Sequence, residues 1–359
     1  MRAAVCREFG KPLVIEEIDL APPGTGEIKV KLSACAICHS DIFYADGAWG
    51  GDLPAVYGHE AAGVVEETGP GVSTVKPGDH VVVTLIRSCG HCHYCSQGLP
   101  VACETSFPLD AKSPLKTHDG KAIRHGLRTG AFAEYAVVDA SQAVGIPKDV
   151  PMDSASLLAC GVITGFGAVV NTAAMKPGSS VVVIGAGGVG MNSIQGAAIG
   201  GASTIIAVDI VASKLEAAER FGATHSLDGR AADIVDRVRA LTGGRGADYV
   251  FVTVGAKAAF DQSFDMASPA GAIVLVGMPE TGVMTEIDPG NVAALNQRIL
   301  GSKMGSSRIQ VDIPYLVSLY RQGRLKLDEL ISGRYRLEEI NEAIALVKRG
   351  DVLRNVITF

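Results

Sequence analysis

The chain has 359 residues, 47% of them hydrophobic and 19% charged, with a formal net charge of −6. At roughly 100–200 residues per domain that length favours two domains, and the apolar share describes a globular chain and excludes disorder. An acidic balance without basic runs leaves no electrostatic footprint for nucleic acid or a membrane surface, so a small-molecule partner is expected.

Up to residue 150 the chain is punctuated by turn formers: APPGTGE at 21–27, TGPGV at 68–72, KPGD at 76–79. The β-branched runs between them, EIKVKL (27–32), AAGVVEE (61–67) and HVVVTL (80–85), predict a compact β-rich, barrel-like domain. Residues 104–128 are polar, lack periodicity and read as a long surface excursion before AFAEYAVV (131–138) resumes the strand pattern. From residue 160 the texture changes. SVVVIG (180–185), TIIAVD (204–209), ADYVFVTV (247–254) and AIVLVG (272–277) alternate with helical stretches such as SKLEAAERFG (213–222) and AADIVDRVRALTG (231–243). Buried strands alternating with helices predict a parallel sheet covered on both faces. The amphipathic IPYLVSLYRQG (313–323) and a strand-like C-terminus, VLRNVITF, are expected to pack back on the first domain. No run approaches the ~18 apolar residues of a membrane span, and MRAAVCREFG lacks the apolar core of a signal peptide, so the cytoplasm is the expected location.

Without an export signal, clustered cysteines read as metal ligands and not as disulfides. Cys89, Cys92, Cys95 and Cys103 offer four thiolates in one short loop, enough to close a tetrahedron around zinc with no open position. His91 and His93 fall between them and read as exposed loop residues. A second set is scattered: Cys38 in CHSD (38–41), His59 in GHEAAGVVEETGPGV (58–72), Cys160 in LLACGVITGFG (157–167). Each alone would be an ordinary core or turn residue. Together they supply two sulfurs and one nitrogen, leaving zinc one position for water or substrate. In SVVVIGAGGVG a strand runs into Gly185, Gly187, Gly188 and Gly190 in the GxGxxG spacing that brings backbone to a pyrophosphate at a helix N-terminus. Asp209 ends the next strand 19 residues after Gly190, and residue 210 is Ile, so no arginine follows it. An acid there accepts from ribose hydroxyls and repels a 2′-phosphate, which favours NAD over NADP.

These residues, over nearly the whole chain, resemble the medium-chain zinc-dependent alcohol dehydrogenases, whose known catalytic Cys–His–Cys set the second cluster matches. The resemblance implies an α/β fold: a GroES-like β-rich catalytic domain and a doubly wound Rossmann coenzyme domain, with a cleft between them where nicotinamide and zinc meet. The expected boundaries are 1–160 for the catalytic domain, with 302–359 packing back on it, and 161–301 for the Rossmann domain. It implies two zincs per chain, one catalytic at Cys38, His59 and Cys160 and one structural at the four-cysteine lobe, with NAD as coenzyme. By motif, Asp41 resembles the carboxylate that holds the His59 ring, Glu60 a nearby acid able to approach the zinc, and Ser40 the hydroxyl that bonds the substrate oxygen and passes on its proton. His39 and Arg354 resemble the basic residues at the coenzyme pyrophosphate, Thr164 and Val189 those that pack the nicotinamide, and Lys214 a lysine at the adenosine ribose. Trp49, Leu85, Leu127, Met278 and Lys303 align with the substrate pocket. Phe43 departs from the pattern, since many members place a relay histidine there, and proton release must run through another group such as His39 or solvent.

The expected function is reversible hydride transfer between an alcohol and NAD. Alternatives within reach of the same residues are oxidation of a thiol–formaldehyde adduct and, less in keeping with an intact ligand set, a non-catalytic NAD-binding protein of the same fold. The resemblance implies pairing through the edge of the coenzyme sheet, near RILGS (298–302), and the long 104–128 excursion resembles that of dimeric members, so a homodimer is the expected assembly, with a tetramer as the alternative.

Overall fold

The computed structural model describes residues 1–359. Two compact units emerge, one of Met1–Cys160 with Arg308–Phe359, the other of Gly161–Ser307.

The first unit is built on two sheets. One orders its strands Val14–Glu17, Arg2–Cys6, Ala55–Val56, Ala122–His125, Leu115–Lys116, Asp19–Leu20. The other runs Ala143–Gly145, His80–Val83, Glu60–Thr68, Glu27–Ala36, Arg354–Thr358, Ile331–Arg336, with Tyr135–Asp139 also paired to Glu27–Ala36. Inward side chains of both sheets, among them Val5, Val30, Val56, Ile123, Val138 and Ile357, fuse into one buried core. Each such side chain contributes roughly 1.5–3 kcal/mol of hydrophobic stabilisation. The C-terminal strand enters this sheet directly, Val356 opposite Ala36 and Ile357 opposite Cys35. The helix before it, Ile340–Arg349, ends on Gly350 in the left-handed region (φ 79°), where glycine carries no steric penalty.

The 104–128 segment differs from expectation. It is not a structureless excursion: Leu115–Lys116 and Ala122–His125 form a small hairpin, and Leu115 and Ile123 are fully buried. Its strands are too short for alternation to stand out from a polar background, so only two inward residues betray them.

The second unit carries a six-stranded, wholly parallel sheet in the order His225–Asp228, Thr204–Asp209, Ser180–Ile184, Ala247–Val252, Ala267–Leu275, Arg298–Gly301. The chain starts in the middle of the sheet, winds to one edge, then returns and winds to the other, which is the doubly wound dinucleotide-binding order. Val181, Val182 and Val183 are all fully buried, as strands covered on both faces require. Residues 302–307, expected with the first unit, pack in this one: Asn171 Nδ2 donates to Gly305 O (3.2 Å) and Ser307 Oγ to Ile163 O (3.3 Å). One helical stretch, Met152–Thr172, is long and apolar enough to cross a membrane, contrary to expectation; 83% of its most apolar window is buried inside the protein, as in a core helix.

Candidate active site

Antiparallel pairing of Glu27–Ala36 with Glu60–Thr68 places Ala36 opposite Glu60, so Cys38, just past one strand, meets His59, just before the other. Gly58 makes the entry possible. Its φ is 90°, and a Cβ there would lie 2.6 Å from the Phe132 nitrogen. Cys38 caps the helix His39–Ala45, and Asp41, in the first turn, turns its carboxylate back into the protein. Asp41 Oδ2 accepts from the Cys38 nitrogen (3.2 Å), while Oδ1 accepts from the Gly58 nitrogen (2.8 Å) and from His59 Nδ1 (2.9 Å). Cys160 arrives from the helical stretch, where the turn Leu158–Val162 widens to a π-helix, a local irregularity often found at functional sites.

The ligand atoms of Cys38, His59, Glu60 and Cys160 all lie within 4.8 Å of one another, and all four residues are buried. With Nδ1 committed to Asp41, His59 presents Nε2, which is buried without a hydrogen-bond partner. An orphaned imidazole nitrogen facing two sulfurs is what a zinc site requires, and the donor set fits that metal. Burial alone would drive the imidazole toward neutrality, but the charges of Asp41 and Cys38 hold its pKa well above the ordinary range. The two thiols share a proton: the hydrogen bond from Cys160 pulls Cys38 well down, and the same bond, with burial, pushes Cys160 well up. Burial pushes the Glu60 carboxyl up to about 7 although the Arg354 guanidinium opposes it. Arg354 is itself buried and pairs with Glu60.

Around the cluster, Ser40 is half-buried and His39 exposed, its ring 6.5 Å from that of Phe43. Trp49 packs its ring 5.2 Å from both Phe43 and Tyr44. Leu85 and Leu127 are half-buried. In the second unit, Met278 is 62% exposed and Lys303 is exposed.

The second cysteine cluster is equally compact. The sulfurs of Cys89, Cys92, Cys95 and Cys103 lie within 4.8 Å of one another, none is in a disulfide, and His91 and His93 are exposed. The Thr105 hydroxyl leads in lowering Cys89 to about 5, while burial leads in raising Cys95 to about 12. Four sulfurs and no open position suit a closed zinc site.

In the coenzyme unit, Gly185 (φ 96°) turns the chain out of Ser180–Ile184 and Gly187 caps the helix Gly188–Ile199. A Cβ on Gly190 would lie 1.8 Å from Gly185 O, so helix and turn touch only because residue 190 is glycine. Gly187 has nothing within 4 Å of the same position, leaving an open face at the helix N-terminus that fits a pyrophosphate. Thr164 is buried, its hydroxyl 3.7 Å from Met304 Sδ, and Val189 and Lys214 are half-buried. Asp209 holds a second task. It accepts from the Ala186 nitrogen (2.6 Å) and the Val211 nitrogen (2.9 Å), tying the glycine turn to its own strand end. Thr253 assists, donating to Gly185 O (2.6 Å), and no sequence signal marked it.

Comparison with known proteins agrees with this architecture. Residues 24–148 match the alcohol dehydrogenase GroES-like domain and residues 188–321 the zinc-binding dehydrogenase family. The chain is 38% identical over 364 residues to the NDMA-dependent alcohol dehydrogenase of Amycolatopsis methanolica, covering 99% of this chain and 98% of that one. It is similar in structure to an alcohol dehydrogenase zinc-binding domain protein from Burkholderia ambifaria (TM-score 0.95, 38% identity, 100% and 98% coverage). It also resembles the benzyl alcohol dehydrogenase of Acinetobacter calcoaceticus (TM-score 0.93, 33% identity, 100% and 99% coverage).

Proposed function

The chain belongs to the medium-chain zinc-dependent alcohol dehydrogenase family, and on that premise we propose that it moves hydride between an alcohol and NAD at a zinc held by Cys38, His59 and Cys160, with a second, structural zinc at Cys89, Cys92, Cys95 and Cys103. The observation that carries this reading is the orphaned His59 Nε2 facing the Cys38 and Cys160 sulfurs. Zinc bound there supplies a Lewis acid that lowers the pKa of an alcohol hydroxyl and polarises a carbonyl.

The chain's own groups do the rest. Asp41 fixes the His59 tautomer and ring by accepting from Nδ1. Ser40, the residue after next from Cys38, accepts the proton of the substrate hydroxyl. Phe43 cannot pass it on, and the neighbouring exposed His39 hands it to solvent. Arg354 neutralises Glu60, so a second full negative charge is not stranded beside the thiolates. Glycines 185, 187, 188 and 190 seat the pyrophosphate, Asp209 receives the adenosine ribose beside Lys214, and Thr164 and Val189 pack the nicotinamide. Trp49, Leu85 and Leu127, in the unit that holds the metal cluster, shape the alcohol pocket. A homodimer, formed along the edge strand Arg298–Gly301, is supported by the exposed Val283, Met284 and Ile287 that precede it.

The test is Cys38→Ala. The variant should lose alcohol-dependent NAD reduction, keep NADH binding, and carry one zinc where the parent carries two. Full activity in the zinc-depleted variant would overturn the assignment.

A further inference from the structure

Arg87 is among the largest fully buried side chains of the chain, and every nitrogen of its guanidinium is committed. Nε donates to Gln142 Oε1 (2.6 Å), Nη1 to Asp110 Oδ1 (2.7 Å) and Nη2 to the Arg128 carbonyl (3.0 Å). Gln142, also fully buried, spends its amide on Thr84 O (2.7 Å) and on the same Arg128 carbonyl (3.1 Å). Burial lowers the Arg87 pKa, yet a guanidinium stays charged, so these are charge-assisted bonds away from water.

The groups held by Arg87 and by its partner Gln142 belong to different places. Asp110 sits in the short helix Pro108–Ala111, seven residues beyond Cys103, and Arg87 itself stands two residues before Cys89. Their pair therefore closes the base of the cysteine lobe. Arg128 O lies in a turn whose Leu127 and Arg128 both have positive φ (49° and 61°), an arrangement costly for residues with a Cβ unless their surroundings hold it. Two buried donors converge on that one carbonyl. Thr84 O lies at the end of His80–Val83, immediately before Leu85.

Leu85 and Leu127 both border the His59 segment. Val83, the last residue of its strand, opposes Ala61, two residues beyond His59, and Leu85 follows two residues after Val83. The other turn reaches the chain before His59 through Gly126, where an added Cβ would lie 2.5 Å from both Val56 O and Tyr57 Cδ1.

We propose that Arg87 is a positioning residue that couples the four-cysteine lobe to Leu85 and Leu127, whose segments adjoin the chain that carries His59, and so sets which alcohols fit. This rests on the reading that Leu85 and Leu127 line the alcohol pocket. With the guanidinium in place, the turn at 127–128 and the strand end at 84–85 are held at one spacing. Without it the lobe base loosens and the leucines shift apart.

The experiment compares kcat/KM for ethanol, n-hexanol and benzyl alcohol in the zinc-loaded enzyme and in Arg87→Met, Asp110→Ala, Leu85→Ala and Leu127→Ala. Zinc content and NADH affinity serve as checks of folding. The Arg87→Met ratio of benzyl alcohol to ethanol should move by roughly tenfold, the scale on which apolar pockets discriminate, through KM for the alcohol and not KM for NAD. Asp110 is about a third exposed, so its loss disturbs the interior less than loss of the fully buried Arg87, and Asp110→Ala should move the ratio in the same direction by a smaller factor even if Arg87→Met does not fold. Unchanged ratios in Asp110→Ala and in any folded Arg87→Met, with both leucine variants altered, overturn the coupling and leave the pocket standing. Unchanged ratios in the leucine variants overturn the pocket reading itself.

Discussion

His59 Nδ1 stands 2.9 Å from Asp41 Oδ1, with both side chains shut away from solvent. The same oxygen accepts from the Gly58 nitrogen, so one carboxylate fixes both the ring and the backbone that delivers it. Replacing Asp41 by Asn keeps the volume but sets an amide where an acceptor is needed. Loss of such a partner typically costs 10–100-fold in metal affinity or activity. Asp41→Asn should therefore surrender zinc to a chelator at concentrations the parent resists, with coenzyme binding kept. Equal zinc retention in the two proteins would show that the contact does not orient the ligand.

Cys95→Ser should act through stability. One ligand of a closed site is lost, the lobe opens, and metal-linked folding energy goes with it. The expected outcome is one zinc per chain and a lower melting temperature, with surviving folded molecules still turning over. Zinc entry into the emptied lobe of the parent protein should release protons, because Cys95 sits near 12 and must ionise to bind. Affinity then falls as pH falls, and a titration in two buffers of different ionisation enthalpy reads the proton count.

His125 gives a pH dependence with a definite sign. Burial first, and the neighbouring Arg87 charge second, push its pKa down to about 4, against about 6.5 in an unfolded chain. The folded state holds it neutral, so above pH 6.5 it imposes no penalty. Between 6.5 and 4 the unfolded chain binds the extra proton and stability declines, by about 3 kcal/mol in full. His125→Gln keeps a donor for Thr129 O and should flatten the melting temperature over that window. A slope identical to the parent's would assign the acid loss elsewhere.

Asp209 should select the coenzyme. Charge-assisted hydrogen bonds contribute roughly 1.5–3 kcal/mol, and 1.4 kcal/mol is a factor of ten, so kcat/KM should favour NAD over NADP at least about tenfold. Asp209→Gly removes the ribose acceptor and also the carboxylate that ties Ala186 to Val211. Both coenzymes should bind more weakly and the preference should shrink, without strong NADP use, since Ile210 offers the phosphate no charge. Equal use of the two coenzymes by the parent would refute the assignment.

What the sequence determined by itself was the chemistry and the alternation of elements. The spacing of Cys89, Cys92, Cys95 and Cys103 is local, so residues near in sequence are near in space. The same holds for the glycine turn and the apolar strands around it, where a strand buried on both faces leaves a continuous run. Cys38, His59 and Cys160 were legible only through their motif resemblance, because nothing local brings a strand end, a strand start and a π-turn together. Tertiary structure decided that, through the pairing of Ala36 with Glu60. It also decided what no spacing encodes: that the 104–128 segment holds a short hairpin anchored by buried Leu115 and Ile123, that Asp209 fastens the turn it faces, and that Arg87 is sealed in the interior. A lone arginine before a cysteine lobe looks like a solvated side chain. It is tolerated inside because Gln142, Asp110 and the Arg128 carbonyl, 55, 23 and 41 residues away, converge on its three nitrogens, and only the folded chain supplies acceptors from such distances.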